Sequence, residues 1–153
     1  MNINLIIPIS LLVVNAYLAI KASISDYQSR TISNQICKVL FIANLLGAMY
    51  FGYCLGSLFS TGICFAVLIG LWLLNVIGAG DIKLLCAFAV GIEPSLLTLY
   101  LVSIGLLGGG QVVIMGLGSL LNGKNRFKMG IPYGIPISIS GIVFVSLSFL
   151  SAY

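Results

Sequence analysis

Long apolar runs, separated by short polar stretches, constrain the fold of this chain more than any other feature of its sequence. Apolar residues make up 60% of the 153 positions and charged residues only 7%, whereas a soluble domain carries about a quarter of its residues as charges. Lipid must therefore be the main solvent for the surface. Because a bilayer offers backbone groups no water to bind, such spans are helical. The sequence predicts an all-α integral membrane protein, a single polytopic domain over residues 1–153.

The apolar runs divide into about six predicted transmembrane helices. A spanning helix needs about 20 mainly apolar residues, and the predicted helices cover residues 5–20, 36–55, 58–77, 82–92, 95–121 and 131–153. The fourth is only about 16 Å long as a helix, too short to cross a whole bilayer. No Lys or Arg precedes the first run and Lys21 follows it. This order favours a retained helix with its N-terminus outside over a cleaved signal peptide.

The basic residues indicate which helix ends face the cytoplasm. With the N-terminus outside, the inner loops are residues 21–35, 78–83 and 122–130, and the outer turns near 56 and 93 carry no basic residue. This one-sided placement is what the positive-inside rule requires. All seven basic residues lie in or beside the inner loops: Lys21, Arg30, Lys38, Lys83, Lys124, Arg126 and Lys128. The last three are predicted to contact anionic lipid, and cations scattered in this way form no nucleic-acid-binding stripe.

Three carboxylates are the only acidic groups, and two of them fall on the predicted cytoplasmic side. Asp26 and Asp81 lie in inner loops, whereas Glu93 lies at an outer turn. The chain has no histidine, which excludes a Ser–His or Cys–His triad and a zinc site built on imidazole. Its four cysteines include no Cys-x-x-Cys pair and are interpreted as packing residues. No metal or cofactor is predicted, and the remaining catalytic options are a carboxylate pair, or Lys with Ser.

Asp26 and Asp81 are candidates for a hydrolytic pair. Two neighbouring carboxylates share a proton because both cannot easily ionise. The ionised one takes a proton from an attacking water, and the protonated one polarises the peptide carbonyl. Gly78 and Gly80, directly before Asp81, allow a tight turn and a close approach of a partner helix or substrate.

Other roles for the two aspartates stay open at this point. Asp81 fits the N-cap of a helix, and Asp26 fits an ion pair with Arg30 four positions on. A small proton or cation transporter or channel component would also use both carboxylates, although the chain shows no inverted repeat. An inactive assembly subunit is a third alternative, favoured if the two carboxylates lie too far apart to share a proton.

The residues around both aspartates resemble one protein family. Gly78-Ala79-Gly80-Asp81-Ile82-Lys83 is similar to the Gly-x-Gly-Asp-x-Lys signature of the type IV prepilin peptidases, which are GxGD aspartyl proteases. The segment 25–34 resembles the family's other motif, an Asp followed by basic residues and Ile-Pro-Asn, with Ser33 in place of the proline. Pro132-Tyr133-Gly134 resembles a recurrent family element, so the resemblance covers essentially the whole chain.

The resemblance implies a function and a set of site residues. Asp26 and Asp81 would be the catalytic pair. Gly78 and Gly80 would shape the active-site turn, and Lys83 would support the site. The implied reaction is cleavage of the positively charged leader of a prepilin at the cytoplasmic face of the bacterial inner membrane, and the pilus assembly machinery is an implied partner. Larger members carry a cysteine-rich insertion for N-methylation, which is absent from residues 1–153. In this respect the chain resembles the short peptidases of tight-adherence (Flp-type) pilus systems.

Overall fold

A computed structural model describes residues 3–122 and 130–151, and this part of the chain contains helices and no strand. The helices are α1 (Ile3–Ser29), α2 (Asn34–Tyr50), α3 (Cys54–Leu73), α4 (Ala79–Ala89), α5 (Leu97–Asn122) and α6 (Gly134–Ser151), with a 3-10 turn at Pro94–Leu96 before α5. The predicted all-α fold is therefore confirmed. The predicted lipid contact of Lys124, Arg126 and Lys128 lies outside the described residues.

Four of the described helical segments are long and apolar enough to cross a membrane, as expected for a multi-pass membrane protein. They are Ile6–Ser29, Cys54–Leu73, Pro94–Leu121 and Gly134–Ser151. Large apolar side chains such as Leu55, Leu106 and Leu120 are exposed on their surfaces, an arrangement that suits lipid and not water. Helices α2 and α4 have 17 and 11 residues. Four of the six predicted spans therefore correspond to candidate membrane-crossing helices, and the count of six stays a prediction.

Helix α4 is surrounded by other helices. It packs against α2, α3 and α6, and its residues Leu84, Phe88 and Ala89 are fully buried. Gly141 of α6 leaves the space that the Phe88 ring fills, because a Cβ at position 141 would overlap the ring. The Asn44 side chain of α2 donates a hydrogen bond to the carbonyl of Ala87 at 2.8 Å. These contacts fix the short helix, and with it the residues at its N-terminus.

Helix α1 continues beyond the predicted apolar run. It ends at Ser29 and not near residue 20, so Asp26 lies in its last two turns and not in a loop. Arg30 ends the helix with a φ of 55°, the left-handed conformation that often closes a helix. The Ser25 hydroxyl donates a hydrogen bond to the carbonyl of Thr31 at 2.7 Å. The turn after α1 is thus tied back to the helix that carries Asp26.

Ser33 occupies the position of the proline in the family motif and begins α2. Its side chain accepts a hydrogen bond from the backbone N–H of Gln35 at 3.2 Å, which makes it the N-cap of the helix. Its φ of −62° is close to the value that a proline ring imposes. The serine therefore adopts the backbone conformation that proline would fix, and it adds a capping oxygen.

Candidate active site

The carboxylate of Asp26 is held by the N-terminal end of α6. Asp26 is only 6% exposed, and its Oδ2 accepts a hydrogen bond from the backbone N–H of Gly134 at 2.7 Å. Gly134 is the first residue of α6, where backbone N–H groups lack partners within the helix and favour a negative charge. A Cβ at Gly134 would lie 2.9 Å from Asp26 Oδ2, so only glycine leaves this donor in contact with the carboxylate.

Asp81 lies in the first turn of α4. The N-cap of this helix is Gly78, three positions before Asp81. The alternative that Asp81 is the N-cap is therefore wrong. The carboxylate instead reaches back to the N-cap, where the Gly78 backbone forms a hydrogen bond with it. Gly78 has a φ of −72° and a ψ of 143°, which any residue adopts. What favours glycine there is space, because a Cβ would lie 3.0 Å from Asp81 Oδ2.

One cavity of about 390 Å³ brings the two aspartates together. It is bordered by the end of α1, the starts of α2 and α4, and Ile131 before α6. All five residues predicted for the site line it: Asp26, Gly78, Gly80, Asp81 and Lys83. Residues far apart in the sequence, on two different helices, therefore share one polar cavity at one end of the bundle.

The two carboxyl groups differ in their surroundings. Burial and the negative charge of Asp26 raise the pKa of Asp81 from 3.8 to about 6, and the hydrogen bond from the Gly78 backbone opposes this shift. Asp26, in contrast, receives an N–H donor from the end of a second helix, which stabilises a carboxylate. A carboxyl with a pKa raised to about 6, beside a second carboxyl in one cavity, is suited to acid–base chemistry.

Lys83 and Gly80 occupy the edge of this cavity. The Lys83 ammonium donates a hydrogen bond to Asn34 Oδ1 at 2.9 Å, and this bond joins the first turn of α2 to α4. The Lys83 ammonium therefore donates to an amide on α2 and not to an aspartate. Gly80 faces Ile32, whose Cβ would lie 3.6 Å from a Cβ at position 80. This is an ordinary contact, so the packing around Gly80 is less restrictive than that around Gly78.

Arg30 and Gly134 have surroundings that the sequence did not predict. Arg30 lines the aspartate cavity, and the Nε and Nη1 atoms of its side chain are buried without a hydrogen-bond partner in the described part of the chain. The contact between Arg30 and Asp26 is made by backbone groups, from the Arg30 N–H to the Asp26 carbonyl at 3.0 Å. The alternative of a side-chain ion pair is thus not supported. For Gly134, the only sequence signal was its place in the motif-like segment before the last helix.

Glu93, the third carboxylate, lies at the opposite end of α4 from Asp81. Its backbone N–H donates a hydrogen bond to Ser148 Oγ at 2.9 Å, and its Oε2 accepts one from Ser151 Oγ at 3.0 Å. The 11 residues of α4 separate it from the aspartate cavity. It is therefore a natural control for experiments that remove a carboxyl group.

Comparison with known proteins supports the resemblance found around both aspartates. Neither a curated protein nor a solved structure matches the chain. The profile of the type IV leader peptidase family matches residues 13–152, a range that includes Asp26, Asp81 and Gly134. Since this match covers most of the sequence, the predicted resemblance is confirmed, and the chain belongs to the type IV leader peptidase family.

Proposed function

We propose that this family member is a membrane aspartyl endopeptidase that cleaves the leader peptide of type IV prepilins, with Asp26 and Asp81 as its catalytic pair. The observation that carries the proposal is the shared cavity, which both Asp26 and Asp81 line. Family membership supports peptidase activity on such leaders. The shared cavity disfavours an inactive subunit with widely separated aspartates.

The different surroundings of the two aspartates suggest a role for each. Asp26, held by the Gly134 N–H, acts as the base that takes a proton from the attacking water. Asp81, whose pKa is raised to about 6, donates a hydrogen bond to the peptide carbonyl. The water oxygen bonds to the carbonyl carbon, and the tetrahedral intermediate then expels the amine, which takes the proton held by Asp26. Gly78 and Gly80 shape the turn before Asp81, and Lys83 supports the rim.

The proposal also assigns the side of the membrane on which the site lies and the type of prepilin that is cleaved. Lys21, Arg30 and Lys83 lie in the predicted inner segments that also hold the two aspartates, which favours a cytoplasmic site in the bacterial inner membrane with the N-terminus outside. The chain shows no methyltransferase insertion in its 153 residues. The proposed substrate is therefore a prepilin of the tight-adherence (Flp) type, with the pilus assembly machinery as a partner.

Cleavage of a purified prepilin tests the proposal. Wild type, Asp26→Asn, Asp81→Asn and the control Glu93→Gln would be purified in detergent, compared for thermal unfolding, and assayed by mass spectrometry of the products. Each aspartate variant is expected to lose at least about 100-fold in rate, the usual minimum for losing an acid or base, while Glu93→Gln retains activity. Full activity in either aspartate variant would exclude the paired mechanism.

The alternative function uses the same aspartates for transport. A proton or cation transporter would show flux in liposomes that depends on Asp26 and Asp81, and it would cleave no prepilin. Measuring ion flux and cleavage with the same reconstituted protein separates the two functions.

A further inference from the structure

A second cavity adjoins the aspartate cavity and shares lining residues with it. It has a volume of about 540 Å³ and lies among α3, α4, α5 and α6. Asp81, Gly78 and Ile131 line both cavities. The Asp81 carboxyl therefore stands at the boundary between a polar space, which it shares with Asp26, and this second space, called here the α3–α6 cavity.

The lining of the α3–α6 cavity is apolar apart from two side chains. Asp81 and Tyr133 are the polar ones, and the remaining wall is formed mainly by leucine and isoleucine, among them Leu68, Leu85, Leu101, Ile104 and Ile137. Its volume falls within the range of about 300–1,000 Å³ that is usual for ligand pockets. Such a space accepts an apolar group and excludes a charged one.

We propose that the α3–α6 cavity is a substrate subsite that holds a large apolar side chain of a residue flanking the scissile peptide bond. The inference rests on the proposed function, because it takes Asp81 as the group that binds the peptide carbonyl. A carbonyl oxygen that accepts a hydrogen bond from Asp81 lies about 3 Å from its carboxyl, and the side chains of the two flanking residues start two and three bonds from the carbonyl carbon. Of the two spaces that meet at Asp81, only the α3–α6 cavity suits an apolar side chain.

A larger groove does not offer the same position. It has a volume of about 840 Å³, is bordered by α1, α5 and α6, and includes neither Asp26 nor Asp81 in its lining. It meets the aspartate cavity at Arg30, which lines both. A group bound in this groove can add affinity, but the α3–α6 cavity is the space that touches the proposed acid. The main rival occupant of the α3–α6 cavity is a lipid acyl chain.

Three glycines on α5 make a matched set of test positions. Gly105 lines the α3–α6 cavity, Gly110 lines the larger groove, and Gly109 lines neither. A Cβ at any of the three meets no atom within 4 Å, so each position has open space for the start of a side chain. The same substitution at the three positions therefore places a side chain at the wall of the α3–α6 cavity, at the wall of the larger groove, or at neither.

The test varies the size of side chains both in the cavity of the enzyme and beside the cut in the substrate. Wild type, Gly105→Leu, Gly105→Phe, Gly109→Phe and Gly110→Phe would be assayed on prepilins with Ala, Leu or Phe at each residue flanking the cut. Wild type is expected to prefer the large side chain at one position. Gly105→Phe is expected to lower kcat/KM for that substrate at least about tenfold and for the Ala substrate less than about threefold. Gly105→Leu should give an intermediate loss, and the controls should keep the preference of wild type.

Several outcomes would overturn the subsite. The subsite is wrong if wild type shows no preference for side-chain size, or if the Gly105 variants lose kcat/KM equally on all substrates. It is also wrong if Gly110→Phe shows the same selective loss of kcat/KM. If the Gly105 variants lose no kcat/KM at all, lipid and not substrate fills the cavity. Thermal unfolding of each variant shows whether the fold is retained. If wild type cleaves prepilins and the Gly105 series shows no size selectivity, the subsite is wrong and the proposed function stands.

Photo-crosslinking gives a readout that does not need cleavage. A prepilin peptide with p-benzoylphenylalanine beside the cut would be irradiated with the Asp26→Asn variant, and the crosslinks mapped by mass spectrometry. Attachment at Leu101 or Ile104 is expected, whereas attachment only at Ile114 or Ile139 of the larger groove, or no attachment, would overturn the subsite. If wild type cleaves no prepilin, the proposed function fails, and these crosslinks still decide where the peptide binds.

Discussion

The backbone N–H of Gly134 donates a hydrogen bond of 2.7 Å to Oδ2 of Asp26, across 108 positions of sequence. This contact joins the start of α6 to the end of α1, two helices that pack against each other. Asp81 receives its backbone hydrogen bond from Gly78 at the start of its own helix. Each aspartate of the pair is therefore oriented by a helix N-terminus, one through the tertiary fold and the other locally.

Replacing Gly134 with alanine is expected to damage the site without unfolding the protein. In Gly134→Ala the new Cβ would lie 2.9 Å from Asp26 Cβ and Oδ2, so the carboxylate or the start of α6 must shift. A shift of a catalytic group by about 1 Å can cost about 100-fold in rate, and a fall in kcat of at least about tenfold is expected. Gly62→Ala, where a Cβ meets no atom within 4 Å, is the control. An unchanged kcat in Gly134→Ala would show that this contact does not orient the base.

The pH dependence of cleavage should follow the proton on Asp81. Its pKa is raised to about 6 by burial and by Asp26, and the proposed mechanism needs Asp81 protonated. The fraction of competent enzyme is therefore expected to fall as the pH rises through about 6. Measuring kcat between pH 5 and 8 in one detergent at constant ionic strength, in about half-unit steps, tests this. A kcat that increases across this range would contradict the assignment of Asp81 as the acid.

The same raised pKa predicts a pH-dependent effect of Asp81 on stability. The folded protein holds this proton more tightly than the unfolded chain, whose ordinary value is 3.8. The free energy of unfolding should therefore decrease as the pH rises from about 4 to about 6, and the penalty should persist above that range. Asp81→Asn carries no such penalty. Its Tm is expected to exceed that of wild type most above pH 6, and the two should converge near pH 4.

Thermal unfolding of wild type, Asp81→Asn and Glu93→Gln across this pH range measures the effect. Glu93→Gln removes a carboxyl at the other end of α4 and controls for the loss of a charge. A difference between Asp81→Asn and wild type that stays constant with pH would mean that packing, and not ionisation, separates them.

The two glycines before Asp81 should respond differently to alanine. In Gly78→Ala the Cβ would lie 3.0 Å from Asp81 Oδ2, whereas in Gly80→Ala it would lie 3.6 Å from Ile32 Cβ. Gly78→Ala must therefore displace the carboxyl by a few tenths of an ångström, and Gly80→Ala gains an ordinary contact. A larger loss of kcat is expected in Gly78→Ala. Equal losses would show that the backbone of the turn, and not the space beside Asp81, requires glycine.

Lys83 should act on the site through its bond to Asn34. The bond is exposed, so the coupling energy between Lys83→Ala and Asn34→Ala in a double-mutant cycle of unfolding is expected to stay below about 1 kcal/mol. Lys83→Gln retains a side-chain N–H donor and should keep more cleavage activity than Lys83→Met. If the two variants were equally impaired, the positive charge, and not this hydrogen bond, would explain the role of Lys83.

The all-α fold could be predicted from the sequence, because it depends on composition and on the local spacing of apolar residues. The scarcity of charges requires lipid-facing helices, and the structure contains helices over most of the predicted runs. The position of Asp26 could not be predicted in the same way. Polar residues from Lys21 onward resemble a loop, yet α1 continues to Ser29, because Ala22 and Asp26, four positions apart on one face of the helix, are buried where α1 packs against α2 and α6. Tertiary packing outweighs local polarity there.

The sequence by itself determined the chemistry that this protein has available. It holds two aspartates, no histidine, and family-like motifs around each aspartate, and these facts depend only on residue identity and local order. The tertiary structure decided the rest: the shared cavity, the N–H of Gly134 on Asp26, and the apolar cavity at Asp81. The physical reason is that pKa values and hydrogen bonds depend on distance and burial. Both are set by helices that meet only when the whole bundle has packed.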